Sequence, residues 1–205
     1  MARDTQSITK MSRREGYALH PKALKYMVKR SATPGQQGRG NRRATTSQYA
    51  LQLREKQKVK RLYGLLERQF SNLMKEANRK TGQSGVILLQ LLEKRADNVV
   101  YRAGFAPSRR AARQLMTHGH FMLNGRRVDI PSIRLKPGGE LIVRPKSQTS
   151  EYFKNMDDIT GNADVTVSWL KANRKKFEIT VTGEPSRDEA EPEINEQLIV
   201  EYYSR

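Results

Sequence analysis

Cysteine is absent from this 205-residue chain. No disulfide can brace it, and no zinc site can be assembled from thiolates. Tryptophan occurs once, and no apolar run approaches the roughly 20 residues that a helix needs to cross a bilayer. The N-terminal MARDTQSITK lacks the apolar stretch of a secretory signal. Acid is also scarce: 21 Asp and Glu stand against 39 Lys and Arg, a net charge of +18. These absences predict a soluble cytoplasmic protein with no metal and no other cofactor. They also argue against a globule that works alone, because so much like charge repels itself. A polyanion is the expected counterpart, either nucleic acid or an anionic membrane.

The charge that is present is unevenly placed. Residues 1–150 hold 32 basic and 9 acidic side chains, whereas residues 151–205 hold 7 and 12. An anion-binding surface therefore belongs to the first three quarters. Residues 1–45 read as a basic extension that carries Arg13, Arg14, Arg39, Arg42 and Arg43. Its glycines at 35, 38 and 40 permit tight turns, but no Gly-Lys-Ser/Thr follows, so it is no phosphate-binding loop. Thr46 or Ser47 can cap the helical pattern that comes next. Val59, Leu62, Leu66, Phe70, Leu73 and Ala77 recur at three and four residues, one apolar face of a helix. Gly64 lies inside this pattern, which leaves one helix or two. Arg54, Lys56, Lys58, Lys60 and Arg61 crowd its first half, with Glu55 the sole acid among them, and are candidate nucleic-acid contacts.

A second apolar run from Val86 leads through Leu92, Ala96, Val99, Val100 and Ala103 to a helix stop at Gly104. Ser108 is placed to cap a further helix, whose inward stripe is Ala111, Ala112, Leu115 and Met116 and which ends at Gly119. HFMLNGRRVDI then reads as a hairpin, since Asn124-Gly125 suits a two-residue turn with positive φ at both positions. SIRLKPGGELIVRP predicts another strand pair around residues 137–139. Residues 95–146 thus form two short helices laid on a small sheet. Alternation at Val165, Val167 and Trp169, and again at Phe177, Ile179 and Val181, predicts two more strands. Near the C-terminus, periodicity at Ile194, Leu198, Ile199 and Tyr202 fits a helix, while Leu198, Val200 and Tyr202 fit a strand.

The most concentrated charge lies in SRRAARQLMTHGHFMLNGRRVDI. Arg109 and Arg113 are four residues apart and share a helix face that Arg110 borders. Arg126 and Arg127 follow the tight turn. Arginine's planar fork matches phosphate oxygens and stays charged at ordinary pH. No zinc finger, no zipper and no aromatic RNP signature is present, so phosphate and shape readout of a folded A-form RNA is the simplest fit.

The same stretch resembles the helix–hairpin RNA-binding module of the fourth small-subunit ribosomal protein family, a module shared with several RNA-modifying enzymes. SRREG at 12–16, PGQQG at 34–38 and YALQLREKQKVKRLYGLLERQF at 49–70 also resemble the bacterial ribosomal family. So do LLEKRADNVVYRAGF at 91–105 and EINEQLIVEYYS at 193–204. The resemblance implies an α+β fold: a helical domain, residues 46–94 completed by 184–205, behind the basic extension 1–45. Residues 95–183 are then the inserted RNA-binding module of two short helices on a small antiparallel sheet, with the strands that follow it. It also implies a short helix over residues 194–203. Its functional implication is a non-enzymatic constituent of the small ribosomal subunit that binds small-subunit ribosomal RNA early and nucleates assembly of the 5′ domain. Neighbouring small-subunit proteins, the fifth included, and messenger RNA near the entrance channel are the implied partners, with a contribution to decoding fidelity. Two departures stand out. The four-cysteine zinc site of many relatives is missing, which leaves residues 1–45 to RNA and local packing. Ala96 stands where the family pattern has Leu, and a Leu-sized void would cost roughly 2–5 kcal/mol.

Two rivals differ in kind. An RNA-modifying enzyme would need a catalytic group, but His20, His118 and His120 are the only histidines, and capping or phosphate contact suits the last two better. Asp97, flanked by Arg95 and Asn98, suits structural pairing. A membrane-surface protein would use a basic amphipathic helix, yet the single tryptophan, Trp169, falls in the acidic quarter.

Overall fold

The computed structural model describes residues 4–30, 32–35, 47–161 and 167–204. Arg39, Arg42, Arg43, Thr46 and Val165 lie outside the described residues. The chain divides into two compact units, Met1–Ile87 with Glu193–Arg205, and Leu88–Pro192.

In the first unit the basic N-terminal segment is not merely an extension. It forms α1 (Ile8–Glu15) and α2 (Pro21–Lys29). Proline at the first position of α2 needs no N–H partner, and the His20 Nδ1 cap accepts from Lys22 N at 3.0 Å. Met11, Leu19 and Ala23 are buried. The Ser12 hydroxyl donates to Ile8 O at 2.8 Å and accepts from Leu19 N at 3.3 Å. Leu24, Tyr26 and Val28 of α2 are exposed, so only part of the apolar content of this segment faces inward.

The long apolar pattern resolves into α3 (Gln48–Leu62) and α4 (Glu67–Ala77). Ser47 caps α3 by accepting from Ala50 N. Gly64, at φ +66°, turns the chain at its end, and Leu65 N donates back to Lys60 O at 2.9 Å. The stripe survives the break: Val59, Leu62, Phe70, Leu73 and Ala77 are all buried. The C-terminal segment is helical from Glu196 to Tyr203, and Ile194 and Ile199 are buried.

The second unit runs from within α5 (Ser84–Glu93) through α6 (Ala96–Arg102), α7 (Arg109–Thr117), β1 (Phe121–Leu123), β2 (Arg126–Val128) and β3 (Glu140–Val143). Three short helices follow, α8 (Pro145–Gln148), α9 (Glu151–Lys154) and α10 (Met156–Thr160), then β4 (Leu170–Asn173) and β5 (Glu178–Val181). The chain closes in the first unit with α11 (Glu196–Tyr203). The five strands make one antiparallel sheet in the order β2-β1-β3-β5-β4. One face carries Phe121, Val128, Leu141, Val143, Ile179 and Val181 into a core shared with Val99, Val100, Ala112, Leu115 and Met116 of α6 and α7. Ala96 is fully buried in that core.

Two expected strands are corrected. SIRLKPGG supplies no partner for β3, whose two sides are already taken by β1 and β5. Residues 131–135 instead meet the start of α6: Ala96 N donates to Ile133 O at 2.8 Å, Asp97 N to Pro131 O, and Leu135 N to Lys94 O. Only an isolated Arg95–Arg134 bridge is strand-like. The strand expected through Val167 and Trp169 begins later, at Leu170, where pairing with Val181 starts. Val167 and Trp169 are buried nonetheless, so alternating apolarity marked burial there without marking a strand.

Candidate nucleic-acid interface

The helix–hairpin forms as its sequence dictates. The Ser108 hydroxyl accepts from Ala111 N at 3.2 Å and starts α7. Asn124 and Gly125 adopt φ +48° and +80° between β1 and β2, and Asn124 is tied to β3 by reciprocal bonds with the Glu140 backbone, both 2.9 Å.

The arginines on this frame do not share one fate. Arg109 is largely buried. Its Nε donates to Asn98 Oδ1 at 2.9 Å, its Nη2 to Glu191 Oε1 at 2.8 Å, and the guanidinium lies 4.6 Å from the Tyr101 ring centroid. Arg113 is turned toward Asp97, 3.4 Å away. Burial pushes its guanidinium down from the usual arginine range, with the Asp97 charge opposing and Arg95 assisting. Both belong to a network with buried Glu93, Arg95, Asp97 and Asn98. Arg95 grips Asp97 through two bonds, and Arg102 grips Glu93. Asp97 is thus a structural anion. Arg110 is exposed on α7.

Arg126 and Arg127 are both exposed, but register separates them. Arg126 pairs with Leu123 and Arg127 with Met122. Successive strand residues point to opposite faces, so the two guanidinium groups leave the ribbon on different sides. Arg127 folds back over Gly119, where a Cβ would lie 2.8 Å from its Nε and 2.9 Å from its Nη2. Arg144, just past β3, donates from Nη1 to Gly119 O at 3.1 Å. Reading the chain by helical stripes missed Arg144, since it follows a strand. The only signal was the RPK sequence after the apolar ELIV.

His120 lies beside this corner, with Nδ1 3.0 Å from Ser147 Oγ. Burial lowers its pKa, and the neighbouring His118 and Arg144 lower it further. Among the described residues, no group of three His, Cys, Asp or Glu could hold a metal ion.

The basic side chains of α3 already have partners within the protein. Lys56 is only 3% exposed, bonded to Glu67 at 2.9 Å and stacked 4.6 Å from the Tyr202 ring centroid. Lys60 meets the other Glu67 oxygen at 3.1 Å. Lys58 pairs with Glu55 and donates to Glu193 O. Arg61 bonds to Glu15, whose side chain is fully covered. Burial raises the Glu15 carboxyl, against the lowering pull of Arg54, Arg61 and Arg14. The sequence offers these cations as candidate nucleic-acid contacts, and the carboxylates of Glu15 and Glu67 that receive Arg61, Lys56 and Lys60 lie outside the run, on α1 and α4. On α1, Arg13 donates to Ala32 O at 2.7 and 3.0 Å, while Arg14 is exposed.

A helix and hairpin that hold exposed guanidinium groups on a packed antiparallel sheet make a basic RNA-binding module. Residues 94–141 match the S4 domain, and residues 3–93 match the Ribosomal protein S4/S9 N-terminal domain. The chain is 50% identical over 206 residues to small ribosomal subunit protein uS4 of Chloroflexus aurantiacus. It is 49% identical over 205 residues to that of Chlorobium phaeovibrioides and 48% over 211 to that of Clostridioides difficile. In all three comparisons 100% of each chain is covered. The chain belongs to the family of small ribosomal subunit protein uS4. Among the described residues, no helix is long and apolar enough to cross a membrane.

Proposed function

We propose that this protein is a structural, non-enzymatic constituent of the small ribosomal subunit that binds small-subunit ribosomal RNA directly. It joins the RNA early and nucleates folding of the 5′ domain. In the assembled particle it lies by the messenger entrance channel, touches the fifth small-subunit protein and contributes to decoding fidelity. Full-length kinship with the uS4 relatives supports the ribosomal role. The observation that carries direct RNA binding is the helix–hairpin, which presents Arg110, Arg126 and Arg127 from regular elements rather than from a tail. Arg14, Arg39, Arg42 and Arg43 extend the contact set. Arg109 and Arg113 act as supports, because carboxylates already receive them.

Footprinting on naked small-subunit RNA across a salt series tests this reading. Protection confined to one junction, weakening steeply as salt rises, is expected. Equal protection of unrelated duplexes would contradict it. Arg126→Ala with Arg127→Ala should weaken binding and reduce the salt slope by roughly two units, because the two side chains reach different phosphates from opposite faces.

A further inference from the structure

We propose that Arg127 and Arg144 together form one seat for a single RNA backbone phosphate at the Gly119 corner, with Gly119 the positioning residue that lets both reach it. The proposal rests on the RNA-binding reading above and adds a residue and a geometry to it.

Both guanidinium groups touch the same residue. Arg127 lies against Gly119 Cα, at a distance where a methyl group would collide with its Nε and Nη2. Arg144 Nη1 donates to the Gly119 carbonyl at 3.1 Å. Two like charges held against one residue repel each other unless an anion lies between or beside them. Among the described residues, neither arginine has a carboxylate within ion-pair distance. That contrasts with Arg61, Arg95, Arg102, Arg109 and Arg113, each of which has one. Elsewhere in the chain paired arginines converge on a carboxylate, as Arg102 and Arg109 do on Glu191. The Gly119 corner repeats the convergence without the acid. A phosphodiester supplies the missing charge, and two arginine forks suit its two free oxygens.

The seat is also preorganised. Arg127 belongs to β2, and Arg144 N is fixed by its bond to His120 O at 2.8 Å. Gly119 sits at φ +68°, and its N–H and that of His120 close the end of α7 on Met116 and Leu115. The exposed His118 lies next to it, its ring centroid 5.9 Å from that of His120. The three atoms nearest to an added Cβ at residue 119 all belong to the Arg127 guanidinium, so the substitution displaces Arg127 from the seat, and at φ +68° it also strains the backbone.

The test is salt-dependent binding of the full chain to a 5′-domain transcript of small-subunit RNA, between 50 and 200 mM monovalent salt. Arg127→Ala and Arg144→Ala should each weaken binding about tenfold but lower the salt slope by less than one unit, because the remaining arginine still meets the phosphate. The double variant Arg127→Ala/Arg144→Ala should lose about one unit and no more, because one phosphate is involved. Gly119→Ala should weaken binding in the wild-type background and add nothing in the Arg127→Ala background, with thermal melts confirming that each variant is folded. A loss of two slope units in the double variant would mean two separate phosphates and would overturn the shared seat. So would unaltered binding by Arg144→Ala. If Gly119→Ala does not fold, the two arginine variants still decide. Failure of the unmodified protein to bind the transcript would instead bring down the RNA-binding reading itself.

Discussion

A charged side chain in this protein is defined by what stands opposite it. Arg109, Arg110 and Arg113 lie within five residues of one another, yet two are tied into the network around Asp97, Asn98 and Glu191 while the third is exposed. Asp97 shows the balance most sharply. It receives Arg95 at 2.8 and 3.1 Å, Arg113 at 3.4 Å and the Asn98 N–H at 3.0 Å, all in a buried setting. Asp97→Ala leaves the Arg95 guanidinium uncompensated and only 4% exposed. A loss of about 3–5 kcal/mol in unfolding free energy is expected, read from urea denaturation. A catalytic aspartate would behave differently, since its removal commonly leaves stability unchanged or raised.

Helices and turns followed their local chemistry closely. Ser47, Ser108 and Asn195 each cap a helix with the side chain, and Gly64 ends α3 where the propensity pattern is weakest. Asn124-Gly125 makes the hairpin that its dipeptide predicts. At Gly125 a Cβ would meet nothing within 4 Å, while φ is +80°. Gly125→Ala therefore strains the backbone alone and should lower stability by about 1–2 kcal/mol, measurable as a lowered melting temperature with RNA affinity retained. Strands were less legible than helices. The segment before β3 and the Val167–Trp169 alternation have the right residue types, but a strand exists only where a partner edge is open. β1 and β5 close both edges of β3.

For the chain as a whole, each unit gathers distant sequence. The first is completed by its last thirteen residues, Glu193–Arg205. Ile199 of α11 is fully buried, Tyr202 stacks 5.8 Å from Tyr49, and the Tyr203 hydroxyl donates to Glu67 at 2.9 Å. Ile199→Ala should destabilise the protein by about 2–5 kcal/mol, and denaturant unfolding checks it. An effect below 1 kcal/mol would mean that α11 docks only marginally. The net charge of +18 is likewise a property of the whole, and it makes every RNA affinity depend on the salt at which it is measured.

Net charge, the absence of cysteine, helix caps, the hairpin turn and the apolar stripes are local or additive properties, so the linear order of residues sets them. The basic character of the helix–hairpin and the presence of its arginines were legible in this way. Which arginines are exposed was not. Lys56, Lys60 and Arg61 find Glu67 and Glu15 only after helices pack, and Arg109 finds Glu191 from 82 residues away. Arg127 and Arg144 meet at Gly119 through strand pairing. Charge pairing acts over a few ångströms in space, and only folding converts distance along the chain into distance of that kind.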